Sequence, residues 1–130
     1  PLTWQETANY IRHRLVTASD EENKKRAAHI FDSVAMAVIF YCSGGVPRLI
    51  NTLCEFALVH AYALGHSTIN YKVALEVVKD RKIGGVNRFS NNTEQLALVR
   101  KRVLDAVGLD LQALINDDAA QKIEKSELES

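Results

Sequence analysis

Two adjacent glycines, Gly44-Gly45, stand two residues before Pro47 and divide the longest apolar part of the chain in two. On one side lie Val34, Ala35, Val38, Ile39 and Tyr41. On the other lie Leu49, Ile50, Leu53, Phe56, Ala57, Leu58, Val59, Ala61 and Leu64. Glycine accepts backbone conformations that end a helix, and proline is favoured at a first helical position, where its missing N–H costs nothing. One helix therefore stops at the glycines and a second starts at Pro47. The segment from 47 to about 64 is apolar on nearly all sides, which reads as the buried centre of a bundle.

Arg48 then falls in the first turn of the second helix, where unpaired amides already carry partial positive charge. A cation there is disfavoured by roughly 0.3–1 kcal/mol, and an anion would remove the conflict. Helix amides, helix dipole and a two-pronged guanidinium together make a phosphate site. An arginine near a helix start also commonly reaches solvent or a neighbouring carboxylate, and charge and position alone leave that alternative open.

The rest of the chain supplies further helices. Thr3-Trp4-Gln5-Glu6 has the capping-box pattern and predicts a helix from 4 to about 17, with Trp4, Ala8, Ile11 and Leu15 on one stripe. Residues 19–25 are polar and charge-dense, as in a surface loop. Asp32-Ser33 is a candidate cap for the helix that the glycines end. Gly65 supplies the next stop. Asn70 caps a fourth helix with the stripe Val73, Ala74, Val77 and Val78.

Four helices are complete by about residue 81. Residues 83–92, with Gly84-Gly85 and Asn91-Asn92, read as a linker. A C-terminal helical extension over 93–115 follows, with Leu96, Val99, Val103, Leu104 and Val107 recurring at helical spacing. Residues 116–130 form a polar, acidic tail whose default is disorder. The fold class is all-α, a bundle of about four helices in residues 1–82 plus that extension.

Lys+Arg and Asp+Glu both number 16, so the formal net charge is zero, which argues against a dedicated nucleic-acid coat but not against a local basic face. Glu55 and His60 interrupt the most hydrophobic helix well inside the length needed to span a bilayer. Cys42 and Cys54 lie in apolar helical contexts and read as buried thiols in a reducing, cytoplasmic compartment. His13, His29, His60 and His66 show no metal-ligand spacing, and His60 reads as a hydrogen-bonded core residue. A chain beginning Pro1-Leu2 reads as part of a longer polypeptide.

The run Ser43-Gly44-Gly45-Val46-Pro47-Arg48-Leu49-Ile50-Asn51-Thr52-Leu53-Cys54 resembles the sensor 2 segment of AAA+ ATPases, in the form carried by the general secretion pathway protein A group. In that superfamily the segment opens a helix of the C-terminal lid, and its arginine reaches the γ-phosphate of ATP held by the preceding core domain. The resemblance implies that Arg48 is that arginine, with Gly45 and Pro47 beside it among the nucleotide-binding residues. Thr3, Glu6 and the run from Tyr10 to Leu15 also resemble the first lid helix, which places Tyr10 and Ile11 at the border of the adenine pocket. A glycine often found near the position of Ser19 is missing here. The likeness covers about the first two-thirds of the chain.

The implied cofactors are ATP and Mg²⁺, held by a core domain outside these residues. No G-x-x-x-x-G-K-[ST] loop and no acidic strand end occur here, so the segment alone does not hydrolyse ATP. Implied partners are its own core domain, neighbouring ATPase subunits and a protein of the secretion apparatus. Two alternatives come from other classes. One is a DNA-binding or transposition and replication-helper module, using Arg12, Arg14, Lys24, Lys25, Arg26, Arg100, Lys101 and Arg102 as a basic face. The other is a protein-interaction bundle in which Arg48 pairs with an internal acid.

Overall fold

The computed structural model describes residues 1–18, 22, 27, 29–81 and 93–113. Among them are five named helices: α1 (Trp4–Ala18), α2 (Ser33–Ser43), α3 (Pro47–Ala63), α4 (Tyr71–Arg81) and α5 (Thr93–Val107). The described residues form no β-strand. An isolated parallel bridge joins Phe31 to Ile69 and ties the approach to α2 to the link between α3 and α4. The predicted linker at 83–92, the tail at 116–130 and most of the loop at 19–25 lie outside the described residues.

Local chemistry sets the helix ends. At the start of α1, Thr3 N–H donates to Glu6 Oε1 at 3.0 Å and Glu6 N–H donates to Thr3 Oγ1 at 3.2 Å, the reciprocal pair that the sequence predicts. These hydrogen bonds, that from the Thr3 backbone first, hold the Glu6 carboxyl below the usual carboxylate range. Asp32 caps α2 by accepting from Ala35 N at 2.7 Å, and Asn70 accepts from Val73 N at 3.1 Å to start α4. Replacing Asp32 with alanine is expected to cost about 1 kcal/mol, read as a lowered midpoint of urea unfolding.

The buried centre is α2, not α3. Every residue from 35 to 43 is buried, and α2 packs against all four other named helices. The helix Ser33–Ser43 carries no charge, so any side of it can be covered. In α3 only the stripe Ile50, Leu53, Ala57 and Ala61 is buried, while Val59 is 67% exposed and Tyr62 is 87% exposed. The predicted all-round burial of 47–64 is therefore corrected: α3 is amphipathic, and part of its apolar surface faces outward.

The C-terminal helix joins the same core. Leu96, Val99, Val103 and Leu111 are buried in one cluster with α1, α2 and α4 residues, whereas Leu104 and Val107, predicted to share that stripe, are exposed. Gln95 Oε1 accepts from Trp4 N at 3.1 Å, one of the amides that a helix start leaves unpaired. Tyr41 O–H donates to Gln112 Oε1. Arg100 forks onto Asp110, with Nε to Oδ1 at 2.7 Å and Nη2 to Oδ2 at 3.0 Å.

The Arg100 hydrogen bond is the main cause that holds the Asp110 carboxyl below its ordinary pKa. A group whose pKa is lowered by folding stabilises the fold above its unfolded pKa, and that contribution is lost as pH falls through the lowered value. Acidification below about 3.9, the ordinary aspartate value, is thus expected to loosen residues 109–113. The check is the amide-exchange protection of Leu111 and Gln112, which should fall with acid in the native chain and lose that dependence in Asp110→Asn.

Candidate functional site

The turn before α3 is made by two consecutive residues of positive φ, Gly44 at 64° and Gly45 at 81°. Any residue with a Cβ would pay roughly 1–2 kcal/mol at either place. Gly45 is buried and both of its backbone groups are engaged: its N–H donates to Ser43 Oγ at 3.3 Å and its carbonyl accepts from Leu2 N at 2.7 Å. Ser43, fully buried, donates in turn to Phe40 O at 3.2 Å. Gly45 therefore shapes the turn from within.

Pro47 is the first residue of α3 and is exposed, and Val46 at the N-cap makes no side-chain cap. The N–H groups of Leu49 and Ile50 both converge on Val46 O at 3.0 Å. No acidic residue lies in this first turn. Arg48 sits in it and is exposed, and neither ion pair found among the described residues involves it. The conflict expected from sequence stands in the structure: a guanidinium at the positive end of an uncapped helix, open to an approaching anion.

The other two predicted site residues lie on α1. Leu2 meets Gly45 and Tyr10 meets Asn51, so α1 and α3 start at the same end and run side by side in one direction. Between them is a cavity of about 130 Å³ lined by Tyr10, Ile11, Leu15, Ile50, Asn51 and Cys54, among others. Tyr10 is half-buried, and its hydroxyl donates to Asn51 Oδ1 at 2.9 Å. Ile11 is only 2% exposed and belongs chiefly to the core, touching the cavity from its floor. The cavity is well below the roughly 300 Å³ at which small-molecule pockets begin, so these residues alone do not enclose a nucleotide.

Asn51 is the residue of this group to which sequence reasoning gives no role. The available signal is a polar side chain, one turn after Arg48, inside an apolar run. Cys54 is mostly buried, and burial pushes its thiol up to about 12, as it does for Cys42. Both are free cysteines held as neutral thiols.

Other candidates separate. His60 is hydrogen-bonded as predicted but is not a core residue: half-buried itself, it has its Nε2 2.7 Å from Oε2 of the exposed Glu76, a pair between α3 and α4. Among the described residues no group of three or more His, Cys, Asp or Glu is placed to hold a metal. Of the basic residues, Arg14 borders the α1–α3 cavity, Arg100 is spent on Asp110, and Arg102 borders a separate cavity beside Trp4. Lys24, Lys25 and Arg26 lie outside the described residues. No helix among the described residues is long and apolar enough to cross a membrane.

Over 76 residues, 58% of its length, the chain is 36% identical to General secretion pathway protein A of Aeromonas hydrophila. The chain spans 13% of that relative. No family model matches it. No solved structure matches it either.

Proposed function

We propose that this helical unit is the nucleotide-sensing lid of a AAA+ ATPase that serves assembly of a bacterial secretion apparatus. The observation that carries the reading is the start of α3, where an exposed Arg48 with no acidic partner among the described residues stands beside Pro47 at a helix end with no side-chain cap. The likeness of residues 43–54 to a sensor 2 segment and the similarity to General secretion pathway protein A support it.

In this reading a core domain holds ATP and Mg²⁺, and the lid brings one guanidinium to the γ-phosphate. Pro47 sets the first turn of α3, the Gly44-Gly45 turn aims it, and Tyr10 and Ile11 present the α1 side of the lid to the base. Arg48 meets charge that grows in the transition state, which makes it a catalytic residue. Loss of the γ-phosphate removes its partner, so the lid is free to rotate as one body and report ADP to neighbouring subunits. A secretion-system protein is the client, and the free thiols suit the reducing cytoplasm.

The test is ATP turnover by the polypeptide that carries this unit together with its nucleotide-binding core. Arg48→Ala is expected to lower turnover at saturating ATP by about 100-fold or more while nucleotide still binds. Unchanged turnover contradicts the assignment.

A further inference from the structure

We propose that Tyr10 and Asn51 are a positioning pair that fixes the bearing of Arg48, an inference that rests on the nucleotide-sensing reading above. Two ties to the N-terminal part of the chain bracket Arg48. One turn before it, Gly45 O accepts from Leu2 N at 2.7 Å. One turn after it, Asn51 Oδ1 accepts from Tyr10 O–H at 2.9 Å. The start of α1 is itself held by α5, because Trp4 N donates to Gln95 Oε1. α1 is thus a fixed frame against which the first turns of α3 are registered.

The need for such a frame follows from the start of α3. Pro47 offers no N–H and Val46 caps nothing with its side chain, so the first turn of α3 is held by backbone bonds local to it, such as those of Leu49 and Ile50 to Val46 O, which fix its shape but not its bearing on α1. An arginine that must meet one phosphate oxygen gains little from its charge if its helix wanders, since misplacement of about 1 Å can cost 100-fold.

The chemistry of the pair points the same way. The pair borders the α1–α3 cavity, whose lining is mostly apolar (Ile11, Leu15, Ile50, Cys54 and Leu58) with Arg14 and Glu55 beside it. The phenol hydroxyl and the carboxamide add direction to the contact of α1 with α3, not burial. Asn51 shares α3 with Arg48 at helical spacing, so direction imposed on one is imposed on the other. Tyr10 and Asn51 act through Arg48, and neither needs to touch the nucleotide to do so.

The experiment measures ATP and ADP affinities of the complete nucleotide-binding polypeptide for the native chain, Tyr10→Phe, Asn51→Ala, the double variant and Arg48→Ala, with thermal midpoints alongside. Tyr10→Phe is expected to lower the ATP-over-ADP preference about threefold, the share of one misaligned hydrogen bond, because any contact of the ring with the base is common to both nucleotides and cancels in the ratio; the midpoint falls only slightly. Asn51→Ala should do the same, and the double variant should lose no more than either single one, the mark of a coupled pair. An intact preference in Tyr10→Phe, or additive losses in the double variant, overturns the positioning role while Arg48→Ala still erases the preference. If Arg48→Ala itself leaves the preference intact, the nucleotide-sensing reading falls and this inference falls with it.

Discussion

Replacing Phe40 with alanine is expected to remove about 3–5 kcal/mol of stability, the loss typical of a large aromatic cut out of a packed core. Phe40 is 0% exposed, sits in the helix that touches all four others, and stacks obliquely on Trp4 with ring centroids 6.0 Å apart and planes at 56°. Its carbonyl also accepts from Gly44 N and from Ser43 Oγ, so collapse around the missing ring would disturb the turn that aims α3. A loss of this size is a large fraction of the roughly 5–15 kcal/mol that keeps a domain folded. Urea unfolding should show it as a sharply lowered midpoint. Tyr62→Ala, at an 87% exposed position, should change stability by no more than about 0.5 kcal/mol. The opposite ranking would put the core in α3 and contradict the packing described above.

That contrast also marks how far the sequence could be read. Helix ends were legible because capping is local: Thr3 with Glu6, Asp32 with Ala35, Gly44, Pro47 and Asn70 each act within one turn of chain. Which helix lies at the centre was not legible. α3 carries more large apolar residues than its buried stripe needs, and burial depends on neighbours that periodicity cannot count. The chain's longest-range ties were hidden for the same reason. Gln95 reaches the first amide of α1 and Gln112 reaches Tyr41, and no pattern near either glutamine announces its partner.

For the site, the position of Arg48 was legible because a cation in a first helical turn breaks a rule of charge, and broken rules are visible in sequence. Tyr10 and Ile11 were marked by the resemblance to a lid helix, not by a rule of their own. The sequence could not show that Ile11 serves the core or that the hydroxyl of Tyr10 belongs to Asn51, because both facts depend on how α1 lies along α3.

On the proposed reading, the effect of Arg48→Ala on nucleotides follows from the γ-phosphate that the guanidinium would meet. ADP lacks the γ-phosphate and so lacks the partner. Its affinity should therefore not depend on Arg48. ATP would lose a charge-assisted hydrogen bond worth about 1.5–3 kcal/mol, so its ground-state affinity should fall by at least about tenfold. Turnover falls further, because the same contact strengthens as charge develops on the transferring group. Arg48→Lys keeps the charge but not the planar fork and should recover only part of either quantity.

The decisive measurement is the ratio of ATP to ADP affinity in the polypeptide that joins this unit to its nucleotide-binding core, compared between the native chain and Arg48→Ala. A fall of at least about tenfold in that ratio, with ADP affinity unchanged, is the outcome that a γ-phosphate contact requires. An unchanged ratio, or an equal loss for both nucleotides, would mean that the arginine at the start of α3 reads no third phosphate.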